Sequence, residues 1–317
     1  MQINFYKKKI FIFTVIFITI ILFNYFLNNK SLFLTNDFNF FNLNYFLNLY
    51  TVPLQYFLGI SLIFFIEYKI LGWDNSSLKS ILNISNPTCR VDIFYIWLKL
   101  SGLSNIIFNI IFFGFGFYFL KTINELSIIK INNLYLEFLV AILTITFIDY
   151  IYHRICHHRL FWEFHKIHHA AEEMNILTVA REHPLVVSVR ILLISLPIGI
   201  FGISAEIAVI CQALLGGYNL MLHSKVFLLP KFFNFFLITT KDHHLHHSTN
   251  EIHFNKNFGN LFNFWDKLFG TYYNSKLVRK ISIGVKDKNY NNKNFIQQIL
   301  IAFIFWFKNL KKTYISQ

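Results

Sequence analysis

Three tight histidine clusters beside long apolar segments limit what this chain can fold into more than any other feature. They contain eight histidines: His153, His157, His165, His168, His169, His243, His246 and His247. Neutral imidazole is a common metal ligand, and residues three or four apart on a helix share one face. Because eight imidazoles exceed the four ligands of one tetrahedral zinc ion, the pattern predicts two neighbouring metal ions.

The composition indicates a membrane protein. Hydrophobic residues make up 55% of the 317-residue chain and charged residues only 14%, whereas soluble domains have about 25% charged residues. Four apolar runs are long enough to cross a bilayer: Ile10–Leu27, Pro53–Leu71, a segment within Ile93–Leu120, and Leu134–Tyr152. A further apolar block over 184–222 predicts two short spans or a re-entrant hairpin, broken near Pro197, Gly199 and Gly202.

The expected fold is therefore an all-α integral membrane protein with about four transmembrane helices, an apolar hairpin and a histidine-rich helical cap. We expect an N-terminal transmembrane region over 1–133, a histidine-box domain over 134–275 and a basic tail over 276–317. Within the tail, the apolar run 299–307 is too short to span and predicts a short helix on the membrane surface.

The net charge of +13 is concentrated at one end, because 14 Lys and Arg stand against four Asp and Glu from Ser224 onward. A basic segment can bind nucleic acid. After apolar spans, however, it favours contact with anionic lipid on the cytoplasmic side. The cationic residues around the first clusters, Arg154, Arg159, Lys166 and Arg181, predict that the histidines also lie on that side.

Residues around the clusters predict supporting roles. Asp149 lies four residues before His153 on the same helical face and is expected to accept a hydrogen bond from a ligand imidazole. Asp242 is expected to support the third cluster in the same way. His244 points elsewhere on its helix, and His253 is not expected to bind metal. The three cysteines, Cys89, Cys156 and Cys211, form no paired pattern, which argues against disulfides and a thiolate zinc site.

Residue types alone leave the metal open, since imidazole binds zinc, copper, nickel and iron. One alternative is a membrane hydrolase that uses zinc-bound water on a lipid. Another is a metal transporter, although transport sites usually lie near the bilayer midplane and these histidines are grouped at one end of the apolar segments.

The motifs resemble the fatty acid hydroxylase/sterol desaturase superfamily, in which HxxxH, HxxHH and HxxHH boxes lie beside membrane spans. The resemblance covers about residues 134–275 and departs at Val186, where many relatives are acidic. Five segments carry it: Asp149-Tyr-Ile-Tyr-His153-Arg154, Phe164-His165-Lys166-Ile-His168-His169, Asn175-x2-Thr178-x2-Arg181-x-His183-Pro184, Asn257-Phe258-Gly259-Asn260 and Trp265-Asp266-Lys267-Leu268-Phe269-Gly270-Thr271-Tyr272.

The resemblance implies a non-haem di-iron oxygenase that uses O2 and two electrons to hydroxylate or desaturate a lipid carbon, or to cleave an ether lipid. The eight box histidines and His223 would hold two iron ions, with zinc as a substitute and His183 as an additional candidate ligand. Electrons would come from a separate carrier resembling cytochrome b5 or ferredoxin. The many Phe, Ile, Asn and Lys residues indicate an AT-rich genome, which favours a bacterial inner membrane over the endoplasmic reticulum.

Overall fold

The described part of the chain is helical. The computed structural model describes residues 58–82, 87–100, 129, 131–226, 231–278, 280–287, 290 and 293–315. Its helices are α1 (58–71), α2 (Ser77–Leu82), α3 (Pro87–Leu100), α4 (Leu134–Cys156), α5 (Trp162–His169), α6 (Pro184–Ile200), α7 (Ala205–Leu222), α8 (Thr240–His246), α9 (Phe264–Leu268) and α10 (Phe295–Ile315). Short 3-10 helices cover Ile176–Ala180, Lys231–Phe235, Glu251–His253 and Ser275–Leu277. The described residues form two isolated bridges and no strand, which confirms the all-α class for this part.

Helix α4 is the longest apolar helix in the described ranges. Asn133 caps its start by accepting hydrogen bonds from the amides of Tyr135 and Leu136. Its 23 residues rise about 35 Å, enough to cross a hydrocarbon core of about 30 Å. Among the described residues, α4 alone is long and apolar enough for this. The predicted span Ile10–Leu27 and most of Ile93–Leu120 lie outside the described residues, so the number of spans stays a prediction.

The apolar block after the second cluster forms two helices, α6 and α7, which both pack against α4. The break between them lies at Phe201–Ser204, where Gly202 has a positive φ of 56° that favours glycine. Pro197 lies inside α6, so it does not cause the predicted break. The Ser204 amide donates to Glu137 Oε1 at 2.6 Å. The hairpin therefore runs along nearly the whole length of α4 and turns at its first turn.

The C-terminal helix α10 is longer than the predicted surface helix over 299–307. It packs against α5 and α3, with Ala302, Phe303 and Trp306 joining the core that also contains Phe164. Its opposite face is apolar and exposed at four positions one helical turn apart: Ile296, Leu300, Ile304 and Phe307. The helix thus supports the histidine-bearing α5 on one side and leaves an apolar stripe uncovered on the other.

Candidate metal centre

Nine histidines meet where α4, α5, α7 and α8 end or begin. They form two groups, and within each group the candidate ligand atoms all lie within 4.8 Å of one another. Cluster A consists of five residues: His153, His157, His165, His169 and His246. Cluster B consists of four: His168, His223, His243 and His247. These are the nine residues that the sequence analysis names as ligands; metal binding by them stays a prediction.

In cluster A the rings approach through their Nε2 atoms. His153 Nε2 lies 3.1 Å from His165 Nε2, and His157 Nε2 lies 3.1 Å from His169 Nε2. The Nε2 atoms of His165 and His169 are 3.3 Å apart. His246 completes the group from α8, with its ring 4.5 Å from that of His153 between centroids. His153 and His157 are partly exposed, so this cluster is the more open of the two.

Cluster B has the same Nε2-centred geometry but is fully buried. His223 Nε2 lies 3.1 Å from His243 Nε2 and 3.4 Å from His168 Nε2. His247 Nε2 lies 3.2 Å from His243 Nε2. The two clusters adjoin, because the rings of His169 in cluster A and His247 in cluster B stack with centroids 4.3 Å apart.

The two HxxHH boxes divide between the clusters instead of each serving one metal. From α5, His165 and His169 belong to cluster A and His168 to cluster B. In the third box the assignment is reversed, since His246 belongs to cluster A, whereas His243 and His247 belong to cluster B. Residues four apart stay together, whereas the residue three positions along turns towards the other cluster. Each box thus links both clusters.

Backbone carbonyls hold three of the imidazoles in place. The Nδ1 atom of His153 bonds to the Phe258 carbonyl oxygen at 2.8 Å, and that of His246 bonds to the Lys256 carbonyl at 2.7 Å. His223 Nδ1 bonds to the Asn219 carbonyl at 2.8 Å. Since a carbonyl accepts, Nδ1 carries the proton and Nε2 presents a lone pair.

An imidazole lone pair directed at another ring nitrogen about 3 Å away needs a proton or a metal ion between the two atoms. His223 presents such a lone pair to its neighbours in cluster B. In cluster A, His246 Nε2 is buried without a hydrogen-bond partner. A buried polar atom without a partner needs an explanation. A bound metal ion supplies it, so the donor set of neutral imidazoles fits divalent metals such as iron or zinc.

Burial keeps these imidazoles neutral and available as ligands. Burial, together with the neighbouring histidines, lowers the pKa of His157, His165 and His247 well below the ordinary value. Burial also lowers the pKa of His223 to about 3. Neutral imidazole is the form that binds metal.

Two aromatic residues cover cluster A. The Trp162 ring contacts the rings of His157 and His169, with centroids 5.0 and 5.2 Å apart. On another side, Phe258 lies 5.5 Å from the ring of His153 and 5.0 Å from that of His157. These side chains limit the access of water to the more open cluster.

The two carboxylates expected to bind imidazoles, Asp149 and Asp242, form their hydrogen bonds with other groups. Both Asp149 oxygens accept hydrogen bonds from Arg190 on α6 at 2.7 Å, and Asn260 donates to one of them. Asp149 thus joins α4 to α6 and to the loop before α9, while the Nδ1 of His153 bonds to a backbone carbonyl. Asp242 accepts from the Thr239 amide in a capping box at the start of α8. It fixes the start of α8, which carries His243 and His246 and ends at the C-cap His247, without bonding to an imidazole.

Four other histidines, His158 among them, stay outside both clusters. His183 is the N-cap of α6, where its Nδ1 accepts a hydrogen bond from the Leu185 amide at 3.1 Å and its ring packs on Phe164. His244 is buried beside the third box but belongs to neither group. His253 bonds to Ser248 Oγ at 2.9 Å.

Two further carboxylates, Asp92 and Asp266, support the site in ways that the sequence does not indicate. Asp92 on α3 is fully buried and accepts hydrogen bonds from residues of the segment after α5: Asn175, Thr178 and Arg181. Asp266 on α9 accepts from the amides of Phe258 and Gly259, both at 2.8 Å, and so fixes the loop whose carbonyl binds His153. Asp92 lies far from the boxes in the chain. Asp266 appears within a matching motif, and Thr271 Oγ1 of that motif donates to it at 2.6 Å, but the amides of Phe258 and Gly259 are backbone groups with no sequence pattern.

Part of the chain is similar in sequence to known proteins. The family model for fatty acid hydroxylase matches residues 138–271, a range that includes all nine clustered histidines. The chain contains a fatty acid hydroxylase domain. This domain carries both clusters, the hairpin and α9, whereas α3 with Asp92 and α10 lie outside the matched range.

Two curated relatives are similar to part of this chain. The chain is 26% identical to the ornithine lipid hydroxylase of Rhizobium tropici over 155 residues, which cover 49% of this chain and 46% of the relative. It is 30% identical to the alkylglycerol monooxygenase of Homo sapiens over 133 residues, covering 42% and 29%. The chain therefore spans less than half the length of either relative. No solved structure matches it.

Proposed function

We propose that this protein is a membrane oxidoreductase that uses two iron ions and O2 to hydroxylate, or desaturate, a lipid carbon. The observation that carries the proposal is the convergence of nine neutral histidines into two adjoining clusters, one buried and the other partly exposed. The fatty acid hydroxylase domain supports the reaction class. Both relatives are named for the oxidation of a lipid, which supports a lipid substrate here.

The ligand assignment follows the two clusters. His153, His157, His165, His169 and His246 would hold one iron, and His168, His223, His243 and His247 the other. Two bound irons supply the reductive activation of O2 that a non-activated C–H bond requires, with two electrons and two protons reducing the second oxygen atom to water. The carbonyls of Phe258, Lys256 and Asn219 orient three imidazoles for this task.

The chain's own residues would bring the lipid to the metals and keep water away. Cluster A is the more open cluster, and the aromatic side chains of Trp162 and Phe258 border it. An apolar acyl chain that lies against these rings would displace water from the reacting carbon. Because no side chain needs to act as nucleophile, the role of the protein is to bind, orient and exclude solvent.

We place α4 across the membrane, with the histidines at its cytoplasmic end. Since the tip of the α6–α7 hairpin bonds to the first turn of α4, the hairpin would reach the same depth as α4. The ion pair of Arg190 with Asp149 satisfies the charges that this arrangement buries. The exposed apolar stripe of α10 would rest on the membrane surface. A separate electron-carrier protein would supply the two electrons.

The test is oxygen incorporation by the purified protein in lipid vesicles. With labelled O2, a chemical reductant and membrane lipid extract, mass spectrometry should detect a lipid that carries one labelled oxygen atom. If the product is desaturated, the label should appear in water instead. His168→Ala should abolish either product, since His168 is a ligand in cluster B.

A zinc hydrolase acting on a lipid would behave differently. It would release its products without O2, and the oxygen atom added to them would come from water. Labelled O2 would therefore leave its products unlabelled. Activity that survives the removal of O2 would contradict the proposal. A metal transporter would move metal ions across the vesicle membrane without changing any lipid, which would contradict it as well.

A further inference from the structure

A second exposed apolar surface lies beside the site. It consists of Phe232 and Phe235, on the 3-10 helix Lys231–Phe235, with Leu268 and Phe269 from α9 and its C-cap. The first three are 73%, 78% and 66% exposed. We call these four residues the apolar patch. Large apolar side chains that are exposed together are typical of an interaction surface.

The two halves of the patch are held together as one unit. Asn263 Nδ2 donates to the carbonyls of Asn234 and Leu237, both at 2.9 Å, and Lys267 Nζ donates to the Phe235 carbonyl at 2.6 Å. The Lys267 ammonium also lies over the rings of Phe235 and Tyr272, at 5.4 and 5.2 Å from their centroids. The patch is therefore a preformed surface with the Lys267 ammonium at its border.

The position of the patch along α4 identifies what it faces. Trp265 Nε1 donates to Thr146 Oγ1 at 3.2 Å, and the ring of Phe269 stacks on Tyr150 with centroids 5.4 Å apart. At 1.5 Å rise per residue, Thr146 lies about 10 Å and Tyr150 about 5 Å from His153 along α4. Trp265 and Phe269 therefore pack on the last two turns of α4 before the metal centre.

We propose that the apolar patch is inserted into the cytoplasmic leaflet, where acyl chains surround its aromatic rings and Lys267 contacts lipid phosphate. The inference rests on the proposed insertion of α4 in the membrane. A segment packed on the last two turns of a transmembrane helix lies at the boundary of acyl chains and headgroups. Aromatic rings with a lysine at their border are typical of that boundary.

The insertion would hold the metal centre at the bilayer surface. The 3-10 helix of the patch is followed by α8, which carries three ligands, and α9 supplies Asp266, which binds the Phe258–Gly259 loop beside cluster A. Lipid contact at the patch would therefore fix both segments relative to the leaflet that contains the substrate. The patch would position the site without touching the reacting carbon.

The experiment measures lipid contact at single labelled positions in the full chain, reconstituted into vesicles. Phe235→Cys and Leu268→Cys would each be labelled with bimane, and brominated phosphatidylcholine would serve as the quencher. The native cysteines Cys89, Cys156 and Cys211 are buried, and unsubstituted protein gives the labelling background. Ile252→Cys is the matched control, because Ile252 is an apolar residue that is 60% exposed outside the patch. Leu139→Cys on α4, 51% exposed, reports insertion of the helix itself.

We expect brominated lipid to remove most of the fluorescence at positions 235, 268 and 139 and almost none at position 252. Quenching at 139 without quenching at 235 and 268 would overturn the inference while leaving α4 in the membrane. Absence of quenching at all four positions would contradict the proposed membrane insertion itself. Cross-linking between copies through positions 235 and 268, with both positions unquenched, would assign the patch to a second copy of the chain and overturn the inference.

Discussion

The two histidine clusters are built from the same helices but are supported differently. Cluster A takes two ligands from the end of α4, and the carbonyls of the loop at Lys256 and Phe258 orient two of its rings. Cluster B depends on His223, which lies outside the three boxes and is oriented by the carbonyl of Asn219 on its own helix. Cluster A has five histidines, of which two are partly exposed, whereas all four histidines of cluster B are buried.

With the two metals proposed above, this difference predicts separate tasks for the two clusters. The enclosed cluster B offers four buried imidazoles, whereas the more open cluster A is bordered by Trp162 and Phe258 and would be the one that a lipid approaches. Because α5 and α8 each contribute to both clusters, a substitution in one cluster is expected to weaken metal binding in the other cluster as well. Substitutions that act on one cluster alone therefore test the comparison best.

The largest effect is expected from removal of His223. His223→Ala leaves cluster B with three histidines and should lose one metal ion per chain and all lipid oxidation, while cluster A keeps its metal. His244→Ala is the control, since His244 is buried in the same region but belongs to neither cluster. Metal analysis of both variants decides the outcome. Equal metal content in the His223 variant and the unsubstituted protein would exclude His223 as a ligand.

The next effect concerns a network that lies behind both clusters. Asp92→Ala removes the carboxylate beside Arg181, and both side chains are fully buried. Leaving a buried guanidinium without its carboxylate should lower the free energy of unfolding by about 3–5 kcal/mol. Thermal unfolding in detergent would measure the change.

Asp74→Ala provides the control for Asp92→Ala, because Asp74 pairs with Lys79 at the surface and exposed pairs contribute about 0–1 kcal/mol. Both clusters should lose metal to a similar extent in the Asp92 variant if the network supports the whole domain. An Asp92 variant as stable as the Asp74 variant would contradict this role.

A smaller and more local effect is expected at Gly259, which adjoins cluster A only. A Cβ at this position would meet the Phe262 carbonyl oxygen at 2.5 Å, so the backbone must move together with the carbonyl of Phe258. Gly259→Ala should cost about 1–3 kcal/mol and weaken metal binding in cluster A more than in cluster B.

Gly217→Ala on α7 is the matched substitution for Gly259→Ala. Nothing lies within 4 Å of the added Cβ, and alanine in place of glycine inside a helix should stabilise the protein by about 0.5–1 kcal/mol. Unfolding curves and metal titrations of both variants would be compared. The same loss of metal from both clusters in the Gly259 variant would show that the loop does not serve cluster A specifically.

The smallest effect concerns a histidine outside both clusters. Burial lowers the pKa of His183 to about 4, below the ordinary value of about 6.5. The unfolded chain therefore binds the proton more readily, so this contribution to stability is complete above pH 6.5 and decreases as the pH falls towards 4. By linkage, the loss between pH 7 and pH 5 is roughly 2 kcal/mol.

His183→Asn retains a side chain that can cap α6 and removes the titrating group. The variant should lose less stability than the unsubstituted protein between pH 7 and pH 5, with metal content unchanged at pH 7. Thermal unfolding at the two pH values provides the measurement. The same pH dependence in both proteins would mean that His183 does not titrate on unfolding.

Sequence spacing predicts which histidines come together but not how they divide. The i, i+3, i+4 spacing predicts a single stripe for His165, His168 and His169, yet α5 lies between the two clusters and its stripe faces both. The division depends on where α7 and α8 approach α5. That approach is a tertiary contact with no local pattern in the sequence.

The partners of the histidines are the least predictable part of the site. A carboxylate four residues before His153 indicates a hydrogen bond on spacing alone, but Arg190, from the neighbouring helix, binds Asp149 instead. The groups that orient the rings are backbone carbonyls, which every residue has. The start of α6 has a local cause, because Pro184 occupies the first helical position, where proline is favoured.

The most direct test of the account is the iron content of the purified protein after anaerobic reconstitution, combined with Mössbauer spectroscopy. Two irons per chain are expected, in two signals of equal intensity, because one cluster offers five imidazoles and the other four. His165→Ala, which removes one ligand from cluster A, should alter one signal more than the other. A single iron per chain, or zinc that iron does not replace, would contradict the two-cluster di-iron centre.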